Sequence, residues 1–217
     1  MYVPNAFKEE RISILQDAIR RAGLATLVSL TDDGPIASHV PLLLDPEPGP
    51  YGTLLGHLAR QNPQSRGANG EAMAIFLGPG AYITPSWYAT KRETGKVVPT
   101  WNYVAIHAYG PLEFIDDPVH VREHVARLTD RHEQGRPVPW KVSDAPEDFI
   151  TNQLSSIIGF RLTIKRIEGK WKMSQNRRAE DRAGAATGLE MEVETRCGGD
   201  DPCAFTAGSC TKLTDAE

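Results

Sequence analysis

The chain has 217 residues, enough for one domain with appendages, and its 40% hydrophobic and 24% charged content is that of an ordinary globular protein. A formal net charge of −4 removes the simplest argument for a nucleic-acid binder, which concentrates positive charge. No apolar run is long enough to span a bilayer, the start lacks the layout of a secretion signal, and all three cysteines fall in the last 21 residues, so the expected setting is a reducing cytoplasm.

In chain order, "FKEERISILQDAIRRAG" predicts an amphipathic helix, with Phe7, Ile12, Leu15, Ile19 and Ala22 on one face and Gly23 as its stop. "LATLVSLTDDGPIASHVPLLLD" then reads as two strands joined at Asp33-Gly34, because glycine accepts the positive φ that tight hairpin turns require. "YGTLLGHL" predicts a third strand and "ARQNPQ" a loop opening a short helix. "EAMAIFLGPGAYITPSWY" predicts a strand, a break at Gly78-Pro79-Gly80 and a second extended piece, and "KRETGK" a polar loop.

"VVPTWNYVAIHAYG", continuing through "PLEFI", predicts a long strand bent at Gly110-Pro111. A helix follows, with Asp117 as cap, Pro118 in its first turn, Val121, Val125 and Leu128 on its apolar face, and Gly135 as its end. Next comes a proline-punctuated loop, and then a short helix capped by Ser143 or Asp144. "FRLTIKRIEGKWKMSQ" predicts a hairpin turning near Glu168-Gly169. From Glu190 the chain is acidic and poor in large apolar residues, so residues 190–217 read as a disordered tail behind a domain of residues 1–189. Strands that do not alternate regularly with helices predict a mainly β, antiparallel fold with flanking helices.

Along the long strand, side chains alternate faces: Trp101, Tyr103, Ala105, His107 and Tyr109 share one, and Asn102, Val104, Ile106 and Ala108 the other. Neither face suits water. One packs in the interior; the other needs a helix, a partner subunit or a planar ligand to cover it. Packed core aromatics are the competing reading. "SHVP" in the second strand, "GHLARQNP" with His57, Arg60 and Asn62, and "TPSWYATK" add polar and aromatic groups that suit a phosphorylated ligand. The common nucleotide-binding fingerprints are absent. His120 and His124 lie four apart without a zinc-protease pattern, which predicts a solvated helix face, and the wide cysteine spacing is unlike a zinc knuckle.

Seven ordered blocks over residues 1–189 ("MYVPNAF", "GHLARQNPQ", "YITPSWY", "VPTWNYVAIHAYG", "RHEQGRPVPW", "IIGFRLTIKRIEGKWKMSQN" and "DRAGAATGL") resemble the PaiB-type FMN-binding negative transcriptional regulators. The resemblance implies an FMN-binding split β-barrel related to pyridoxamine-phosphate oxidases, working as a homodimer with FMN in the cleft between subunits. It implies Ser38, His39 and Val40 along the flavin ring, Arg60 and Asn62 facing its phosphate, and His57 among the cofactor-binding residues. Trp101 and Asn102 would complete the pocket, with Lys172, Ser174 and Gln175 reaching in from the last hairpin. The arginine-rich phosphate signature of the oxidases is missing from "IASHVPLLL", which argues against vitamin B6 chemistry.

The expected function is therefore an FMN-binding negative regulator. The basic run from Lys165 to Arg178 is its one candidate DNA-contacting surface, since no helix-turn-helix pattern is present. The alternative is a flavin-dependent oxidoreductase with no direct DNA contact, in which His39 or His107 could serve as acid or base. A haem-binding module with a histidine ligand ranks third.

Overall fold

The computed structural model describes residues 1–67 and 69–197. They form a mainly antiparallel nine-stranded sheet and six α-helices. The elements run β1 (Lys8–Glu9), α1 (Ile12–Arg21), β2 (Ala25–Thr31), β3 (Gly34–Val40), β4 (Leu43–Asp45), β5 (Thr53–Ala59), α2 (Gln64–Gly67), β6 (Asn69–Ile83) and α3 (Ala89–Thr94). There follow β7 (Thr100–Ile115), α4 (Pro118–Glu133), α5 (Glu147–Ser155), β8 (Ile157–Thr163), β9 (Arg166–Lys172) and α6 (Ala179–Cys197). The hydrogen-bonded strand order is β3-β2-β6-β7-β8-β5-β4, and β9 pairs with β7 and β1.

The chain divides into two compact units. Unit one holds Met1, Glu9–Phe76 and Ile106–Gly169; unit two holds Tyr2–Lys8, Leu77–Ala105 and the described chain from Lys170.

In unit one, the β2–β3 hairpin forms as its turn chemistry predicts. Ala25 pairs with Val40 through to Thr31 with Gly34, and Gly34 sits at φ +109°, where a side chain would be strained. Helix α1 begins five residues later than Phe7, because Glu9 accepts the Arg11 N–H and its guanidinium before the helix can start. Its Leu15 and Ile19 are buried to 1% exposure, about 2 kcal/mol of apolar transfer each. Helix α4 is capped as expected, with Asp117 Oδ1 accepting the Val119 N–H at 2.8 Å.

Its inner face differs from the expectation. His124 is buried beside Val121 and Leu128, so it does not lie on a solvated face. Helix α5 starts from Pro146, and Asp144 instead accepts the Lys141 N–H. The expected β8–β9 hairpin is also corrected. Both strands exist, but β8 pairs with β5 and β7, and the chain turns at Ile164-Lys165, where Ile164 N–H reaches Gly52 O and Lys165 N–H reaches Tyr109 O.

In unit two, the sequence Gly78-Pro79-Gly80 does not break β6, which runs unbroken for 15 residues. Gly78 serves close approach. A Cβ on Gly78 would lie 2.9 Å from Val104 Cβ, whereas one on Gly80 would make only ordinary contact with Tyr103, at 3.4 Å. "KRETGK" is not a loop either: α3 covers most of it and ends at Gly95, whose φ of +66° and N–H to Lys91 O make a helix stop. Helix α6 lies on Ile83, Trp87 and Tyr88 through Ala185 and Leu189. Its Gly184 and Gly188 meet Trp87 so closely that a Cβ on Gly188 would fall 2.3 Å from the indole. Asp181 fastens the start of this helix by accepting from Thr90 N at 2.9 Å and Thr90 Oγ1 at 2.7 Å. Helix α6 continues past the boundary expected at Leu189, to Cys197. The remaining tail, with Cys203 and Cys210, lies outside the described residues.

Candidate functional site

The expected site residues fall into two groups, one in each unit. In unit one, Asn62 links the corner between β5 and α2 to β3. Its Nδ2 donates to Ser38 Oγ at 2.9 Å and its Oδ1 accepts the Gln64 N–H at 2.9 Å. Gln64, which the sequence reading did not single out, is fully buried. Its Nε2 donates to Leu27 O and Ser29 Oγ, while its Oε1 has no partner among the described residues. The signal for it was the "NPQ" that opens a helix, which marks a turn without revealing what the glutamine reaches. His39 is exposed and shares a hydrogen bond with Thr26 Oγ1 at 3.0 Å, whereas the Val40 side chain points into the core.

Arg60, expected at a phosphate, has partners within the chain. Its guanidinium forks onto Asp116 at 2.7 and 2.8 Å and donates to the carbonyls of Ser155 and Ile157 at 3.0 Å. These bonds use four of the five N–H donors of an arginine, so the side chain clamps the end of β5. His57 is likewise turned toward α4, where its Nδ1 and His124 Nε2 lie 3.2 Å apart. Burial pushes both histidines down, His124 to about 4, with the neighbouring His57 and Arg127 adding to that fall. His124 also lines a cavity of about 240 Å³ with Leu55, His120, Val121, Arg127 and Phe160.

His107 lies in a second polar cluster of unit one. It shares a 3.2 Å hydrogen bond with Tyr109, whose hydroxyl donates to Glu168 Oε2 at 3.2 Å, and the Arg166 guanidinium stacks 3.5 Å from the Tyr109 ring centre. Desolvation, then the charge of the nearby terminal amine, lowers the His107 pKa.

In unit two, β7 and β9 bring together four of the five expected residues. Trp101 is 58% exposed and meets Tyr82, 47% exposed, edge to face at 6.1 Å. Lys172 Nζ donates to Thr100 Oγ1 and to the Trp101 carbonyl. Ser174 is held at φ +62°, the one non-glycine residue described with a positive φ, and its Oγ donates to Asn102 Oδ1 at 3.0 Å. Gln175 stands apart: its amide closes its own turn, accepting from Met173 N and donating to Trp171 O.

Three neighbours in unit two were missed. Lys170 is only 8% exposed, with its ammonium 5.2 Å from the Tyr103 ring centre and 5.8 Å from that of Tyr2. Arg177 stacks 5.0 Å from the Tyr88 ring centre, and Tyr82 flanks Trp101. A strand carrying lysines at alternate positions opposite aromatics was the available signal.

Comparison with known proteins bears on the same elements. Residues 1–166 match the family described as "Putative FMN-binding domain". An uncharacterized protein of Aspergillus fumigatus is 35% identical over 88% of this chain and 91% of its own length. The protease synthase and sporulation protein PAI 2 of Bacillus subtilis is 31% identical over 88% of this chain and 90% of its own. Among solved structures, the FAD and heme binding protein of Mycobacterium smegmatis superposes with a TM-score of 0.58 at 18% identity, covering 82% of this chain and 79% of that one. A flavocytochrome of Azotobacter vinelandii does so with a TM-score of 0.58 at 13% identity, covering 84% and 78%. The last two show the fold, which is split-barrel-like. With the sheet, its helices and these matches in place, the chain belongs to the PaiB-type family of FMN-binding domains, whose cofactor is FMN.

Proposed function

We propose that this protein is an FMN-binding negative regulator of the PaiB type that holds its flavin where two copies of the chain meet. The observation that carries the reading is the Trp101–Tyr82 pair, two half-exposed rings in edge contact beside the Lys172 ammonium. Such a ledge suits a cover that is flat and carries a negative group, and a second subunit would complete it. The donor set fits FMN: ring faces for the isoalloxazine, the Asn102 amide for its polar edge and ammonium groups for a phosphate. When bound, FMN supplies reversible electron transfer, and the chain's own residues orient and shield it.

Purified protein should be yellow, with one flavin per subunit and the mass of a dimer, and Trp101→Ala should lower both flavin content and dimer fraction. A colourless monomer that takes up no added FMN would end the reading.

A flavin-dependent oxidoreductase without direct DNA contact is the second reading, and one observation favours it. Half of the six cations of the Lys165–Arg178 run are engaged or buried within the chain: Arg166 by Glu168 and Tyr109, Arg178 by Glu93, and Lys170 by burial. That arrangement serves a DNA backbone poorly, and under the first reading it makes repression indirect. Bleaching of the bound flavin by a nicotinamide donor faster than that of free FMN supports the enzyme. Sequence-dependent retardation of promoter DNA at physiological salt supports a direct regulator.

A further inference from the structure

A buried cation normally has an anion beside it, because taking an ammonium out of water costs several kcal/mol unless an opposite charge compensates. Lys170 has none among the described residues. Its Nζ donates to Tyr2 O at 3.1 Å and otherwise faces the rings of Tyr2 and Tyr103. Carbonyl and ring faces offset part of that cost but supply no opposite charge.

Two residues on, on the same face of β9, Lys172 rests on the neutral oxygens of Thr100 and Trp101. Its pKa is lowered first by burial, and Lys170 and Arg177 push it down further against an opposing pull from Tyr103. Arg177 belongs to the same turn, its backbone N–H reaching Ser174 O at 2.9 Å. Asp181, the acidic group that senses Arg177, spends both oxygens on Thr90, and Glu93 is taken by Arg178. Alongside, Ser174 occupies Asn102 Oδ1 and leaves the Asn102 amide N–H groups without a partner among the described residues.

We propose that Lys170, Lys172 and Arg177, with the Asn102 amide, form a binding site for a phosphate group. The phosphate comes either from the flavin itself or from a separate small phosphorylated ligand. Depth argues against a polymer: a lysine 8% exposed offers a nucleic-acid backbone little surface, and a compact oxyanion suits it better. In unit one, Arg60 has most of its donors engaged, which leaves these cations of unit two the better phosphate partners. They also lie beyond the residues 1–166 that match the family. In its flavin form the inference rests on the function proposed above; in its free-phosphate form it does not.

The test uses the full chain, with FMN, riboflavin and inorganic phosphate as probes and Lys172→Gln, Arg177→Gln and Lys172→Arg as variants. If the site holds the flavin's phosphate, Lys172→Gln and Arg177→Gln weaken FMN about tenfold to a hundredfold and leave riboflavin unchanged, and Lys172→Arg restores most of the loss. If it holds a separate ligand, FMN affinity is unmoved. Inorganic phosphate then binds the wild-type protein by calorimetry, and the two glutamine variants lose that binding about tenfold or more. The inference is overturned if FMN, riboflavin and phosphate each bind wild type and both glutamine variants alike. Should Lys172→Gln fail to fold, Arg177→Gln reads the same site. A protein that takes no flavin yet binds phosphate through Lys172 retains this inference and loses the dimer-cleft reading.

Discussion

Unit one buries His124 against His57 beneath α4, whereas unit two buries Lys170 among tyrosines with no carboxylate beside it among the described residues. The imidazole can shed its charge to enter the core; burial lowers its pKa to about 4, so at neutral pH the pair is an uncharged contact between β5 and α4. His124 Nδ1 lacks a partner among the described residues, and a second proton there would create a buried cation with nothing to bond. The lysine ammonium keeps its donors on a carbonyl and ring faces. A group that is neutral when buried is explained by packing alone, but a buried charge without a counter-charge among the described residues calls for an anion from elsewhere.

The largest expected effect tests the neutral pair. Since the folded pKa of His124 lies below its ordinary value of 6.5, its stabilisation is complete above pH 6.5 and is lost as pH falls toward about 4. That amounts to about 3 kcal/mol across the window. Chemical denaturation at a series of pH values should show this slope in the wild type and a much flatter one in His124→Leu. An equal slope in both would mean that the histidine is charged when folded.

The next effect sharpens the contrast with unit two. Gly188→Ala drives a methyl into the Trp87 indole and should cost about 2 kcal/mol, with no added pH dependence between 4 and 6.5, because the contact is one of volume and not of charge. The smallest compares the two arginine-and-lysine sets. Arg60→Lys, by losing its fork onto Asp116, should lower Tm by about 2 °C and leave the preference for FMN over riboflavin unchanged. A collapse of that preference in Arg60→Lys would move the phosphate back to unit one.

Local chemistry made much of the fold legible. The hairpin at Asp33-Gly34 follows from one glycine φ, and the start of α4 from Asp117 and Pro118, each settled by atoms a few residues apart. The failures share a cause. Gly78-Pro79-Gly80 carries turn residues, yet at Gly78 Val104 needs the space that a Cβ would take, and the strand runs on. The two arms of "FRLTIKRIEGKWKMSQ" alternate as a hairpin should, but their hydrogen bonds go to β5, β7 and β1. Of the site, Trp101, Asn102, Lys172 and Ser174 were named from family resemblance, and the structure joins Lys172 to Trp101 and Ser174 to Asn102.

By itself, then, the order of residues determined the β-rich class, the turns and helix caps, and the family, because these depend on short-range backbone preference and on ordered motifs. Only the tertiary structure decided that Arg60 faces Asp116, that His124 is buried and that Lys170 lies among tyrosine rings. Burial and electrostatic partnership are properties of what surrounds a side chain, and those surroundings come from segments far apart along the chain.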